Sequence, residues 1–67
     1  MINCELLLEY VVKSKLHIKD IADRLKLSEI NFIKRVGNLQ EFTYTEVNIL
    51  CDVLRIPPSE ALNVFFN

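Results

Sequence analysis

Seven of the chain's eight basic residues fall between positions 13 and 35: Lys13, Lys15, Lys19, Arg24, Lys26, Lys34 and Arg35. Only Asp20, Asp23 and Glu29 oppose them there, so the stretch carries seven less three, or +4. Elsewhere Arg55 stands alone against Glu5, Glu9, Glu41, Glu46, Asp52 and Glu60, one less six, or −5. The total of −1 conceals this division. The chemistry on offer is electrostatic: a segregated positive segment orients a molecule in the field of a polyanion even when its net charge is small. Ordinary solvated helix faces are the plainer reading of the same residues. Covalent chemistry is not offered. There is one histidine, His17, and no Gly-rich phosphate loop, HExxH, paired CxxC or acidic pair spaced for glycoside cleavage. We expect no enzyme, no metal and no cofactor. Cys4 and Cys51 read as small buried hydrophobes, with a disulfide or redox pair as the other reading.

The elements that must position the basic stretch can be read from its apolar spacing. In Leu16–Asn38, Ile18, Ile21, Ala22 and Leu25 recur at helical intervals, with Lys19, Asp20, Asp23 and Arg24 on the other face. Ala22 is small where a second helix would cross closely. Lys26-Leu27 breaks the pattern, Ser28 suits an N-cap, and a second helix follows over about 28–36. Phe32 and Val36 form its buried i,i+4 pair, while Glu29, Asn31, Lys34 and Arg35 point elsewhere. Two short helices across a tight turn, the second with a polar outward face, predict a helix-turn-helix.

Around this unit, residues 3–15 predict a first helix, with Asn3 as its cap and Glu5 in its first turn. Cys4, Leu7, Leu8, Val11 and Val12 form a broad apolar stripe, beside Leu6 and Tyr10. Gly37–Glu41 reads as a helix C-cap and a loop. Thr43-x-x-Glu46 is a capping box opening a fourth helix, with Val47, Leu50, Cys51 and Leu54 inward, then Ile56. Phe42 and Tyr44 should close the core beneath it. Pro57-Pro58 stops that helix, and Pro58 suits the first turn of a fifth helix ending near Val64. Of Phe65 and Phe66, one ring should enter the core. At 67 residues, 51% of them apolar, a single all-α domain over 1–67 is expected. Glu5 and Glu9 interrupt the apolar N-terminal segment, and no long apolar run exists. A soluble, cytoplasmic protein is therefore expected.

The motif over about 16–38 resembles the helix-turn-helix of the Cro and CI-type phage repressors, the XRE-like regulators. A leucine opens it, here Leu16, and an aliphatic-alanine pair follows, here Ile21-Ala22. Leu25-Lys26-Leu27-Ser28 stands at the turn and Phe32 in the second helix. Downstream, Phe42-Thr43 with Glu46, Val47, Leu50 and Leu54 resembles the fourth helix of short prophage-type members. The likeness runs from about Leu7 to Phe66. It departs at Ile18, where the family often has glutamine, and at Lys26, where glycine is usual and the backbone must tolerate a side chain.

The resemblance implies a five-helix lambda-repressor-like DNA-binding domain and a transcriptional regulator that binds duplex operator DNA as a homodimer. It places Ser28, Glu29, Ile30, Asn31, Ile33 and Lys34 toward the bases. Asn31 is suited to adenine, Ile30 to a thymine methyl, Glu29 to cytosine, and Lys34 to guanine or phosphate. It places Lys13, Lys15, His17, Lys19, Lys26 and Arg35 toward phosphate. His17 alone reads as a surface or capping residue. Apolar residues in excess of one small core (Leu8, Val12, Ile49, Val53, Phe65 and Phe66) predict self-association. The fifth helix is the expected dimer interface, through Leu62, Phe65 and Phe66. The alternative function is an antirepressor: the same fold binding a repressor protein through Ile30, Ile33 and Glu29.

Overall fold

Three of the five helices begin where a side chain caps a backbone N–H. The computed structural model describes residues 1–66 and contains α1 (Cys4–Ser14), α2 (Ile18–Arg24), α3 (Glu29–Val36), α4 (Tyr44–Val53) and α5 (Pro58–Phe65). No strand occurs among the described residues. The Asn3 side chain accepts from the Leu6 N–H at 3.1 Å, and Ser28 accepts from Asn31 at 3.1 Å. At Thr43 the capping box is complete: its hydroxyl accepts from Glu46 N–H at 3.1 Å, and its own N–H donates to Glu46 Oε1 at 2.9 Å. Caps of this kind contribute about 1 kcal/mol each. His17 occupies the N-cap position of α2 without a side-chain hydrogen bond, and Pro58 supplies the first residue of α5.

The C-terminal ends share one device. After α2, the N–H of Lys26 donates to Asp23 O (3.1 Å) and that of Leu27 to Ala22 O (2.9 Å), a Schellman motif. The same pair of bonds follows α3 at Asn38 and Leu39, and α4 at Arg55 and Ile56. After α1 a serine intervenes. Leu16 N–H donates to Ser14 Oγ at 3.2 Å, and that hydroxyl donates to Val11 O at 2.6 Å. All four junctions use a non-glycine residue with positive φ: Lys15 (59°), Lys26 (59°), Asn38 (65°) and Arg55 (55°). Gly37, the only glycine, has φ −83° and takes no part in this.

Leu7, Ile21, Phe32, Leu50 and Val64 are the largest fully buried side chains, and together they draw on every helix. Burial of each contributes about 1.5–3 kcal/mol before entropy is counted. α2 lies centrally, packed against α3 and α4, while α5 closes against α1 and α4. Phe42 bridges the far side: its ring centroid is 6.1 Å from that of Phe32 and 6.2 Å from that of Phe65, edge-on to the latter. The segment before α1 is tied in twice. Asn38 exchanges two hydrogen bonds with the Ile2 backbone (2.8 and 3.1 Å), and Asn3 N–H donates to Val64 O at 2.8 Å.

Two expectations about the core need correction, at Tyr44 and at Phe65. Tyr44, expected beneath α4, is exposed, because the capping box makes it the first helical residue, beyond the core that Phe42 already closes. Leu8 and Val12, counted in the sequence among the residues in excess of one small core, point outward from α1 while Leu7 and Val11 are buried. Phe65 is only 5% exposed and belongs to the core, so it is unavailable to a dimer interface, whereas Phe66 (65%) and Leu62 (66%) are on the surface. Cys4 and Cys51 are free and half-buried, and burial pushes the Cys51 thiol up, which keeps it protonated. No helix of the described residues is long and apolar enough to cross a membrane.

Candidate nucleic-acid interface

The site is built on α3, whose two faces differ sharply. Phe32 and Val36 are buried against the core, and the Ser28 cap fixes where the helix begins. With that register set, Ser28, Glu29, Ile30, Asn31, Ile33 and Lys34 are all exposed. They form one continuous outward surface carrying a hydroxyl, a carboxylate, a carboxamide and an ammonium group. Such a set can donate to and accept from base edges, and Ile30 and Ile33 add apolar contact area. The Schellman turn after α2 leaves only Leu25–Ser28 between the two helices, and Leu25 is buried. α3 is thus held as a projecting unit on α2.

Lys13, Lys15, His17, Lys19 and Lys26 are likewise exposed. Lys26 occupies the turn directly before α3, where its positive φ follows from the Schellman geometry. The start of α2 also comes beside α3. Ile18 and Ile33 line one groove of about 310 Å³ together with Cys4, Leu8, Val11, Phe32, Val36 and Gly37. His17 and Lys19 flank Ile18 in sequence, at the N-cap and in the first turn of α2. The Lys13 Nζ lies 5.7 Å from the centre of the Tyr10 ring.

Arg35, expected at phosphate, is engaged internally. Its Nε lies 3.2 Å from Glu46 Oε1 in an ion pair whose side chains are largely buried, and its Nη1 donates to Asn31 O at 3.4 Å. Nε is not aligned for a hydrogen bond to Glu46 and has no other partner, so the contact is one of charge. Glu46 already accepts the Thr43 N–H, and it thereby joins the cap of α4 to the last turn of α3. Nothing local in the sequence marks this pair, since its members belong to different helices. Asn38 was also missed as a structural residue. Its signal is the asparagine directly after the only glycine, a residue that tolerates positive φ and can bond backbone on both sides. No cluster of three or more potential metal ligands occurs among the described residues. The chain matches no known family model, no curated protein and no solved structure.

Proposed function

We propose that the chain is a DNA-binding regulator in which α2 and α3 act as a helix-turn-helix, with α3 entering the major groove. The observation that supports this is the outward face of α3: Ser28, Glu29, Asn31 and Lys34 stand free of the core while Phe32 and Val36 lock the helix from behind. Asn31 and Ile30 meet base edges, and Lys34 reaches guanine or phosphate. Lys15, Lys19 and Lys26 flank the groove and neutralise phosphates, and His17 offers a ring N–H as a hydrogen-bond donor to one. Arg35 is outside that set because Glu46 holds it. Two copies on a pseudo-palindromic site would present two α3 helices about one DNA turn, ~34 Å, apart.

Titration against duplex DNA across a salt series tests the reading. Lys34→Ala should weaken binding to every sequence and reduce the slope of log K against log salt by about 0.9. Asn31→Ala should instead relax preference at one base pair, at a cost of about 1–3 kcal/mol. Absence of DNA binding at low salt overturns the proposal.

One observation favours a second reading. Ile30 and Ile33 are 68% and 54% exposed on the same face, and Ile33 borders the apolar groove beside Leu8 and Ile18. An antirepressor would use these as anchors in a repressor's DNA-binding domain, with Glu29 facing that partner's basic surface. Ile33→Asp should then abolish the protein complex, and wild-type DNA affinity would be negligible.

A further inference from the structure

The outer face of α1 is the surface with an apolar centre and an internally complementary charge pattern. Leu8 and Val12, one turn apart, are 43% and 74% exposed. Along the same face Glu5 and Glu9 lie toward the N-terminal end and Lys13 toward the C-terminal end, followed by Lys15 just past the helix. The expected alternative on α5 is weaker. Phe65 is buried, and Glu60 is the only ionisable side chain of the helix, so a two-fold pairing there has no opposed charges to direct it.

We infer that the chain self-associates through α1, with the α1 of a second copy lying antiparallel across it about a two-fold axis near Tyr10. Charge decides both occupant and direction. Parallel pairing would set Glu5 and Glu9 beside the partner's Glu5 and Glu9, and lysine beside lysine. Antiparallel pairing opposes them. With a rise of 1.5 Å per residue, an axis at the level of Tyr10 brings Leu8 opposite the partner's Val12. Glu5 then comes level with the partner's Lys15, and the partner's Lys13 falls within one turn of Glu9. The opposed helix dipoles act in the same direction. The interface is isologous, each copy giving and receiving the same contacts. In this arrangement Lys13 and Lys15 serve the pair and leave the phosphate set to His17, Lys19, Lys26 and Lys34.

This inference names a surface for the dimer and stands independently of whether α3 meets DNA, because sedimentation without DNA tests it. Wild-type protein should show concentration-dependent dimerisation. Val12→Lys changes an exposed residue near a helix C-terminus, where a cation is tolerated, and should raise the dimer Kd about tenfold or more. Leu62→Lys on α5 should leave the Kd unchanged. Glu9→Lys and Lys13→Glu should each weaken association about fivefold or more when alone. Mixed one to one they should pair with each other, and the double variant Glu9→Lys/Lys13→Glu should recover dimerisation. That recovery keeps the test decisive even if Val12→Lys fails to fold. A wild-type monomer at high micromolar concentration, loss of association in Leu62→Lys, or no recovery in the double variant each overturns the assignment.

Discussion

Lys26 shows how a single backbone angle links the turn to the site. Its φ of 59° lies in the left-handed region, which costs a non-glycine residue about 1 kcal/mol or more. The Schellman bonds of Lys26 and Leu27 hold it there and set where α3 begins. Lys26→Gly should therefore stabilise the fold by about 1 kcal/mol, with the thermal midpoint rising accordingly, while phosphate affinity falls if the ammonium serves DNA. Gly37→Ala supplies the contrast. Gly37 has φ −83°, and an added Cβ would meet Ile33 O at 3.4 Å, an ordinary contact. That substitution should be neutral or stabilising by about 0.5 kcal/mol, with no effect on any turn. A thermal melt in which Gly37→Ala unfolds early would show that the helix end is strained. The Lys26 position was legible beforehand, because the resemblance expects a glycine in that place. Asn38 was legible only in part: its left-handed angle belongs to the local Schellman turn after α3, but its two bonds to Ile2 depend on a segment distant in sequence.

At the scale of the elements, caps and apolar periods were readable because they are local. Asn3, Ser28 and Thr43 cap the helices expected of them, and α3 starts and ends with the Phe32–Val36 pair inward. What periodicity could not resolve was which member of a broad stripe faces the core. Leu7 and Leu8 are equally apolar, yet only Leu7 is buried, because the shared core of the five helices lies on its side of α1. Tyr44 was misplaced for a related reason: it continues the stripe of α4 but stands at the helix's first position, outside the packed layer. Charge posed the same difficulty at Arg35, whose partner Glu46 lies in the next helix. Phe32 is where the elements meet, 1% exposed and packed toward Phe42. Phe32→Ala should cost about 3–5 kcal/mol, a large share of what a domain this small possesses. Circular dichroism on heating should show a chain unfolded or barely cooperative at 25 °C. A near-wild-type melt would mean that α3 is held by something other than this ring.

For the whole molecule the decisive feature is closure. The helices alone leave α3 attached mainly to α2, with Phe32–Phe42 and Arg35–Glu46 as its ties toward α4 and α5. A third tie comes from the segment before α1. Asn38 accepts the Ile2 N–H and donates to the Ile2 carbonyl, while the Asn3 N–H reaches Val64 O in α5. Asn38 thus joins the end of α3 to a strand of backbone already fastened to α5, so the surface presented by α3 is braced from both sides. Two substitutions separate its roles. Asn38→Gly keeps the left-handed angle and removes the side-chain bonds, which are solvent-exposed and together contribute about 1 kcal/mol. Asn38→Ala removes the bonds and also strains the turn, so it should cost about 1 kcal/mol more than Asn38→Gly. Hydrogen exchange supplies the second readout. In both variants the amide of Ile2 should lose protection, and Leu39, whose N–H donates to Lys34 O, should lose it only in Asn38→Ala. Equal destabilisation by the two substitutions would place the whole effect in the side-chain bonds and none in the backbone angle.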